Sequence, residues 1–223
     1  MAKYSIFESI PLKNRQWPSN KIKETPIWCS VDLRDGNQAL PIPMNVGQKL
    51  SFFKLLTKIG FKEIEVGFPS ASKTEYDFVR CLIEQNHIPE DVTIQVLCPA
   101  REDLIKKTFE SIVGVKKVIF HIYNPTSPAQ RKYTFQMNKE QVLKMAVDGV
   151  NAVKKYLPIL QDKPQFTLEY SPESFSATEY DYALEVCNAV IDCWQPTKQN
   201  KIIINLPETV ECAMPNVYAD QVE

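Results

Sequence analysis

Short apolar runs alternating with longer amphipathic stretches constrain this 223-residue chain more than any other feature of its sequence. Six runs read as strands: Ile27–Leu33, Glu63–Val66, Thr93–Leu97, Val118–Ile122, Phe166–Tyr170 and Ile202–Leu206. Five stretches between them run over about Val46–Ile59, Lys73–Gln85, Glu102–Ile112, Asn138–Tyr156 and Ala177–Cys193. Each carries apolar residues three and four apart, the period of a helix with one buried face. Local chemistry supports the limits. Asn138 followed by Gln141 is a helix-entry pair, and Gly60 stands where the first helix needs a left-handed residue to stop. Strict strand–helix alternation implies parallel strands joined by crossover helices.

Two architectures satisfy that pattern, an open doubly wound sheet and a closed barrel. No strand is followed by GxGxxG or GxxxxGK(S/T), and only six glycines are present, so a glycine-rich nucleotide cradle is not available. The expected fold is therefore a (β/α)8 TIM barrel, truncated after about six βα units because the sequence ends inside what reads as a sixth helix, over 216–223. The expected organisation is an N-terminal extension over residues 1–26 and a partial catalytic barrel over residues 27–223 lacking strands seven and eight.

Charge and composition narrow the partners. Lys+Arg 26 against Asp+Glu 27 leaves no basic surplus to displace counterions from a phosphate backbone, so nucleic acid is not an expected partner. Met1–Ser5 begins no signal peptide, and no stretch reaches the roughly 20 apolar residues that span a bilayer. A cytoplasmic protein without membrane contact is expected. The six cysteines (Cys29, Cys81, Cys98, Cys187, Cys193 and Cys212) form no CxxC pair and read as reduced thiols.

Catalytic groups of parallel α/β folds sit at the carboxyl ends of the strands. Those ends carry Leu33-Arg34-Asp35-Gly36-Asn37-Gln38, His121-Ile122-Tyr123-Asn124, Glu169-Tyr170-Ser171-Pro172-Glu173 and Asn205-Leu206-Pro207-Glu208-Thr209. If the backbone stays extended, Ser171 shares a face with Glu173, and Asn205 with Thr209. Together they would surround one cavity with an arginine, carboxylates, a histidine and hydroxyls. Each also has an ordinary reading: Arg34–Asp35 as a surface ion pair, His121 as a core histidine, Glu173 as the carboxylate of a helix start, and Thr209 as a cap.

The segments Val31–Leu40 and Lys62–Ser72 resemble the opening motifs of the 2-isopropylmalate synthase family. The resemblance continues through Gln95–Leu97, Phe120–Ser127, Glu169–Phe175 and Ile204–Glu211, covering nearly all of the chain from about residue 27. It implies a Claisen-type condensation of acetyl-CoA with 3-methyl-2-oxobutanoate and thioester hydrolysis, in leucine biosynthesis, by a divalent-metal-dependent (Mg, Mn or Zn) homodimer. By the same resemblance Asp35 is the metal-ligating aspartate, Arg34 steadies the developing oxyanion, and Glu173 performs acid–base work. His121, Ser171 and Thr209 contact the oxoacid, and Leu97, Asn205 and Pro207 shape the pocket for its isopropyl group. The family takes two further metal ligands from an HxH motif on strand seven, which His87 and His121 cannot supply, so the metal site is expected to be incomplete and this chain inactive alone. Homocitrate or citramalate synthase, or a shortened non-catalytic paralogue that binds a full-length subunit, remain alternatives.

Overall fold

A computed structural model describes residues 10–211 and 213–223. Six strands alternate with six helices: β1 Cys29–Ser30, α1 Val46–Ile59, β2 Glu63–Gly67, α2 Lys73–Glu84, β3 Thr93–Pro99, α3 Glu102–Ser111, β4 Lys117–Pro125, α4 Lys139–Tyr156, β5 Gln165–Glu173, α5 Tyr180–Trp194, β6 Ile202–Ile204 and α6 Pro215–Val222. Every strand pairs in parallel with the next, in the order β1-β2-β3-β4-β5-β6. The result is a half-barrel.

Period-two alternation divides the sheet into two chemically different faces. Ile94, Val96 and Cys98 of β3, Val118, Phe120 and Ile122 of β4, and Leu168 and Tyr170 of β5 point to the helices and form the core with Phe53, Phe78, Phe109, Val150 and Val190. The intervening Gln95, His121, Glu169 and Ser171 line the opposite, concave face. Register puts Leu97, His121, Glu169 and Ile203 side by side on successive strands.

Helix ends follow their local chemistry. Asn45 with Gln48 and Asn138 with Gln141 form reciprocal capping boxes, and Gly60 closes α1 at φ 115°. The polar lead is tied to the far end of the chain. Arg15 grips Asp220 at 2.5 and 2.7 Å, and the Trp17 indole donates to the same carboxylate at 2.8 Å.

Three expectations change. The first strand is not Ile27–Leu33: it shrinks to Cys29–Ser30, because Val31 leaves the extended region (φ −110°, ψ 11°) and its carbonyl accepts from the N–H groups of Arg34 and Gly36. The chain then makes one wide helical turn, Asp32–Gly36, while Ile27 and Trp28 stay 73% and 69% exposed. β5 runs through Glu173, so that residue ends a strand and does not start a helix; Phe175–Ala177 is a separate short turn, and α5 begins at Tyr180. Finally, β6 stops at Ile204 with the Asn205–Thr209 segment beyond it, so Asn205 and Thr209 reach the cavity from a loop. The five described cysteines are free thiols, and Cys212 lies outside the described residues, as does Met1–Ser5.

A bulge in β2 sets one wall of the cavity. Glu65 pairs with Gln95 but Gly67 with Val96, so Val66 and Gly67 together oppose one residue of β3. The slip sends Phe68 to the cavity and Gly67 to the helix side. There a Cβ on Gly67 would lie 2.0 Å from Glu75 Oε2 and 3.1 Å from Lys49 Nζ. These atoms belong to an ion pair in which the buried Lys49 ammonium donates to Glu75 Oε1 at 2.6 Å, while Glu75 Oε2 accepts from the Phe68 N–H at 3.1 Å. Glu75 cannot withdraw without stranding a buried cation. Gly67→Ala is therefore expected to destabilise the fold, approaching the roughly 3–5 kcal/mol of a broken buried pair, as a lower midpoint in urea unfolding. An unchanged midpoint would mean that Glu75 relocates without cost.

Candidate active site

The cavity lies beyond the carboxyl ends of the strands and measures about 660 Å³. Arg34 and Asp35 enter it from the turn after β1, Leu97 from β3, His121 from β4, Ser171 and Glu173 from β5, and Asn205, Pro207 and Thr209 from the segment after β6. Every residue given a role by the resemblance thus lines one space. Gln38, Phe68, Tyr123 and Glu208 line it as well.

Below this rim runs a continuous hydrogen-bonded network. The Arg34 guanidinium contacts both Asp35 and the wholly buried Glu65 of β2. The other oxygen of Glu65 accepts from Gln95 Nε2 at 2.7 Å and lies 2.9 Å from His121 Nδ1. His121 Nε2 lies 2.6 Å from Ser171 Oγ, and the Asn205 amide donates to that same hydroxyl oxygen at 2.8 Å. At the rim, Thr209 Oγ1 accepts from the Ser174 N–H at 3.1 Å. That bond holds Ser174 in the left-handed region at φ 61° and so fixes the turn immediately after Glu173.

Environment separates the carboxylates. Burial pushes the Glu65 carboxyl up, but the hydrogen bond and charge of His121 and the charge and hydrogen bond of Arg34 together outweigh it and bring the group down to about 2. Glu169 is moved the other way, first by burial and then by the negative charges of Glu65 and Glu63. Glu173 is likewise raised by burial, against the opposing pull of Arg34. One carboxylate is thus ionised at neutral pH, while another at the cavity holds its proton more tightly than usual.

Metal ligation is a different matter. Asp35 stands at the cavity half-exposed, with Arg34 as its charged neighbour. Among the described residues, no group of three His, Cys, Asp or Glu side chains is placed to hold a metal ion. The donor set present does not make a complete divalent-metal site.

Glu65 and Gln95 escape a reading confined to strand ends. Their signal is alternation itself. In Glu63-Ile64-Glu65-Val66 and Thr93-Ile94-Gln95-Val96, the polar partner of every core residue must face the barrel interior.

A parallel half-barrel with its charged residues at the carboxyl ends of the strands has the layout of a (β/α)8 barrel. The HMGL-like family model matches residues 25–223, and the chain belongs to that family. It is 60% identical over 222 residues to the 2-isopropylmalate synthase of Clostridium acetobutylicum, covering 99% of this chain and 40% of that protein. The match to the enzyme of the same name from Pseudomonas fluorescens strain SBW25 is 56% over 222 residues, 100% of this chain and 40% of that one. The chain therefore spans about 40% of the length of these relatives. Among solved structures, an HMG-CoA lyase from Acinetobacter baumannii in complex with coenzyme A and 3-methylmalate aligns with TM-score 0.57 at 17% identity, over 84% of this chain and 58% of that one. The Bacillus subtilis HMG-CoA lyase aligns with TM-score 0.55 at 14% identity, over 75% and 55%. These likenesses show the barrel fold.

Proposed function

We propose that this chain forms the oxoacid-binding part of a 2-isopropylmalate synthase, which condenses acetyl-CoA with 3-methyl-2-oxobutanoate and hydrolyses the resulting thioester. The observation that carries this reading is one cleft in which Arg34, His121 and Glu173 face the apolar Leu97 and Pro207. A branched 2-oxoacid needs both kinds of surface. In this reading Arg34 neutralises the alkoxide that grows on the ketone oxygen as the carbon–carbon bond forms. Glu173 takes or returns the proton at the acetyl carbon, and its raised proton affinity suits that exchange near neutral pH. His121, Ser171 and Thr209 orient the oxoacid, while Leu97, Asn205 and Pro207 bound the space for its branched end.

Asp35 is assigned to a divalent metal ion (Mg, Mn or Zn) whose other ligands lie outside this chain's described residues. A homodimer in the cytoplasm belongs to the same reading, which agrees with the finding that no helix among the described residues is long and apolar enough to cross a membrane.

Coenzyme A release by the protein that carries this chain, with a panel of 2-oxoacids, tests the proposal. Turnover is expected with 3-methyl-2-oxobutanoate in preference to pyruvate and 2-oxoglutarate. Preference for either of those two would reassign the chain to citramalate or homocitrate chemistry. In that assay the acidic limb of the kcat/KM profile is expected above the roughly 4.3 of an ordinary glutamate, because burial holds the Glu173 proton. Glu173→Gln is expected to remove the limb and about 10²–10⁴-fold of the rate. A limb left in place by that substitution would assign the acid–base role elsewhere.

A further inference from the structure

When His121 is neutral, its partners leave the proton of the Ser171 hydroxyl one position. Asn205 Nδ2, as assigned from the hydrogen-bond network, is a donor only and points at Ser171 Oγ from 2.8 Å. On the far side of the imidazole, Glu65 is wholly buried, held by the Arg34 guanidinium at one oxygen and 2.9 Å from His121 Nδ1 at the other. An ionised carboxylate accepts only, so His121 Nδ1 carries a proton. In the neutral ring Nε2 then offers a lone pair, 2.6 Å from Ser171 Oγ, and the serine must donate to it. Gln95 fixes the carboxylate from a third direction, donating to the same Glu65 oxygen at 2.7 Å. β-Strand register places Glu65 beside Gln95 and His121 beside Glu169, two residues before Ser171, while Arg34 and Asn205 reach in from the segments after β1 and β6.

We infer that Glu65, His121 and Ser171 form a carboxylate–imidazole–hydroxyl relay that makes Ser171 Oγ a nucleophile toward the acyl carbonyl of a thioester in the cleft. The spacings are those of an activated serine: nucleophile to base within hydrogen-bond reach, base oriented by a buried carboxylate. His121 and Ser171 line the cleft, yet are only 4% and 3% exposed, so the relay is screened from bulk water, where its electrostatics would be weaker. As Oγ bonds to the acyl carbon, its proton passes to His121 Nε2. The carbon–sulfur bond breaks, and the departing sulfur takes that proton and leaves as a thiol. Water then gives a proton to Nε2 as its oxygen attacks the acyl-serine ester; the Oγ–carbon bond breaks and Ser171 recovers its proton. The sum is thioester plus water to carboxylic acid plus thiol, with Glu65 ionised throughout. For its natural substrate this inference rests on the synthase reading, where it names the residue that performs the hydrolytic half.

Rapid mixing of the protein with p-nitrophenyl acetate, followed by peptide mass spectrometry, tests the relay without an oxoacid. The expected result is a burst of nitrophenolate near one equivalent and an acetyl group on the peptide bearing Ser171. Ser171→Ala is expected to remove the burst and slow turnover at least about 100-fold, and Ser171→Cys to restore acylation. Glu65→Gln is expected to slow acylation while leaving Ser171 the residue that is acylated. Far-UV circular dichroism establishes that each variant is folded, and S171C supplies the comparison if S171A is not. No acetyl adduct on Ser171 in the unmodified protein, or an undiminished rate in folded S171A, would overturn the relay. Neither result touches condensation, which mass spectrometry of the condensed acyl-coenzyme A thioester formed from acetyl-CoA and the oxoacid reports separately.

Discussion

Glu65→Ala is expected to cost about 3–5 kcal/mol of folding stability, the cost of breaking a buried ion pair from one side. The side chain is fully buried and serves two cationic or proton-donating partners, the Arg34 guanidinium at one oxygen and His121 Nδ1, 2.9 Å away, at the other. Removing it leaves Arg34 only the Asp35 carboxylate at the rim, takes the carboxylate partner from His121 Nδ1 and deprives Gln95 Nε2 of its acceptor at 2.7 Å. Urea unfolding should show a lowered midpoint with an unchanged slope. The loss also has a pH signature. The Glu65 carboxyl falls from its ordinary 4.5 to about 2 in the folded protein, so its contribution is complete above pH about 4.5 and disappears as the pH drops toward about 2. Glu169 acts oppositely. Its raised proton affinity favours the fold at low pH, and that contribution is lost as pH rises through its elevated value. Glu65→Ala should therefore flatten the acid limb of the stability profile, whereas Glu169→Gln should raise stability at neutral pH. A Glu65→Ala protein with the parent's acid limb would mean that other carboxylates govern acid unfolding.

Arg34→Lys is expected to lower kcat for coenzyme A release by about 10²–10³-fold, the usual loss when one group stabilising a developing oxyanion is removed. The guanidinium bridges two carboxylates, Asp35 at the rim and Glu65 below, while lining the cavity. A lysine ammonium is a compact charge on a flexible stem and cannot span both while presenting a planar fork to the substrate. The charge survives, so folding should suffer less than in Glu65→Ala, and the main effect should fall on kcat. A nearly unchanged kcat would give the oxyanion role to another group.

The helices were the most legible part of the fold, because each of the five read from the sequence carries a period and two also carry a punctuation mark. α1 spans Val46–Ile59 as expected, stopped by Gly60, and α4 begins beside the Asn138–Gln141 pair. The first strand was least legible. Ile27-Trp28-Cys29 looks like buried strand, yet Ile27 and Trp28 are left largely uncovered and Val31 turns the chain away. What decides that turn is tertiary: Arg34 reaches Glu65, 31 positions along the chain. The β2 bulge escaped for a related reason, since nothing local marks Val66 and Gly67 as sharing one partner; the packing of Glu75 and Lys49 against Gly67 reveals it.

The site divides along the same line. Arg34, His121, Glu173 and Thr209 were visible as polar residues closing apolar runs, a feature of one segment at a time. Glu65 and Gln95 lie within strands and become meaningful only when neighbouring strands are laid side by side, as in their own pairing. Alternation held that information, but register was needed to read it.

The central claim is that one end of this half-barrel binds a branched 2-oxoacid between Arg34 and the Leu97–Pro207 wall. A crystal structure with 3-methyl-2-oxobutanoate bound tests it most directly. The account predicts the carboxylate and ketone oxygens near Arg34 and Asp35, with the isopropyl group against Leu97 and Pro207. A ligand seated instead in the apolar hollow between Trp28 and Phe61, at the opposite ends of the strands, would contradict it.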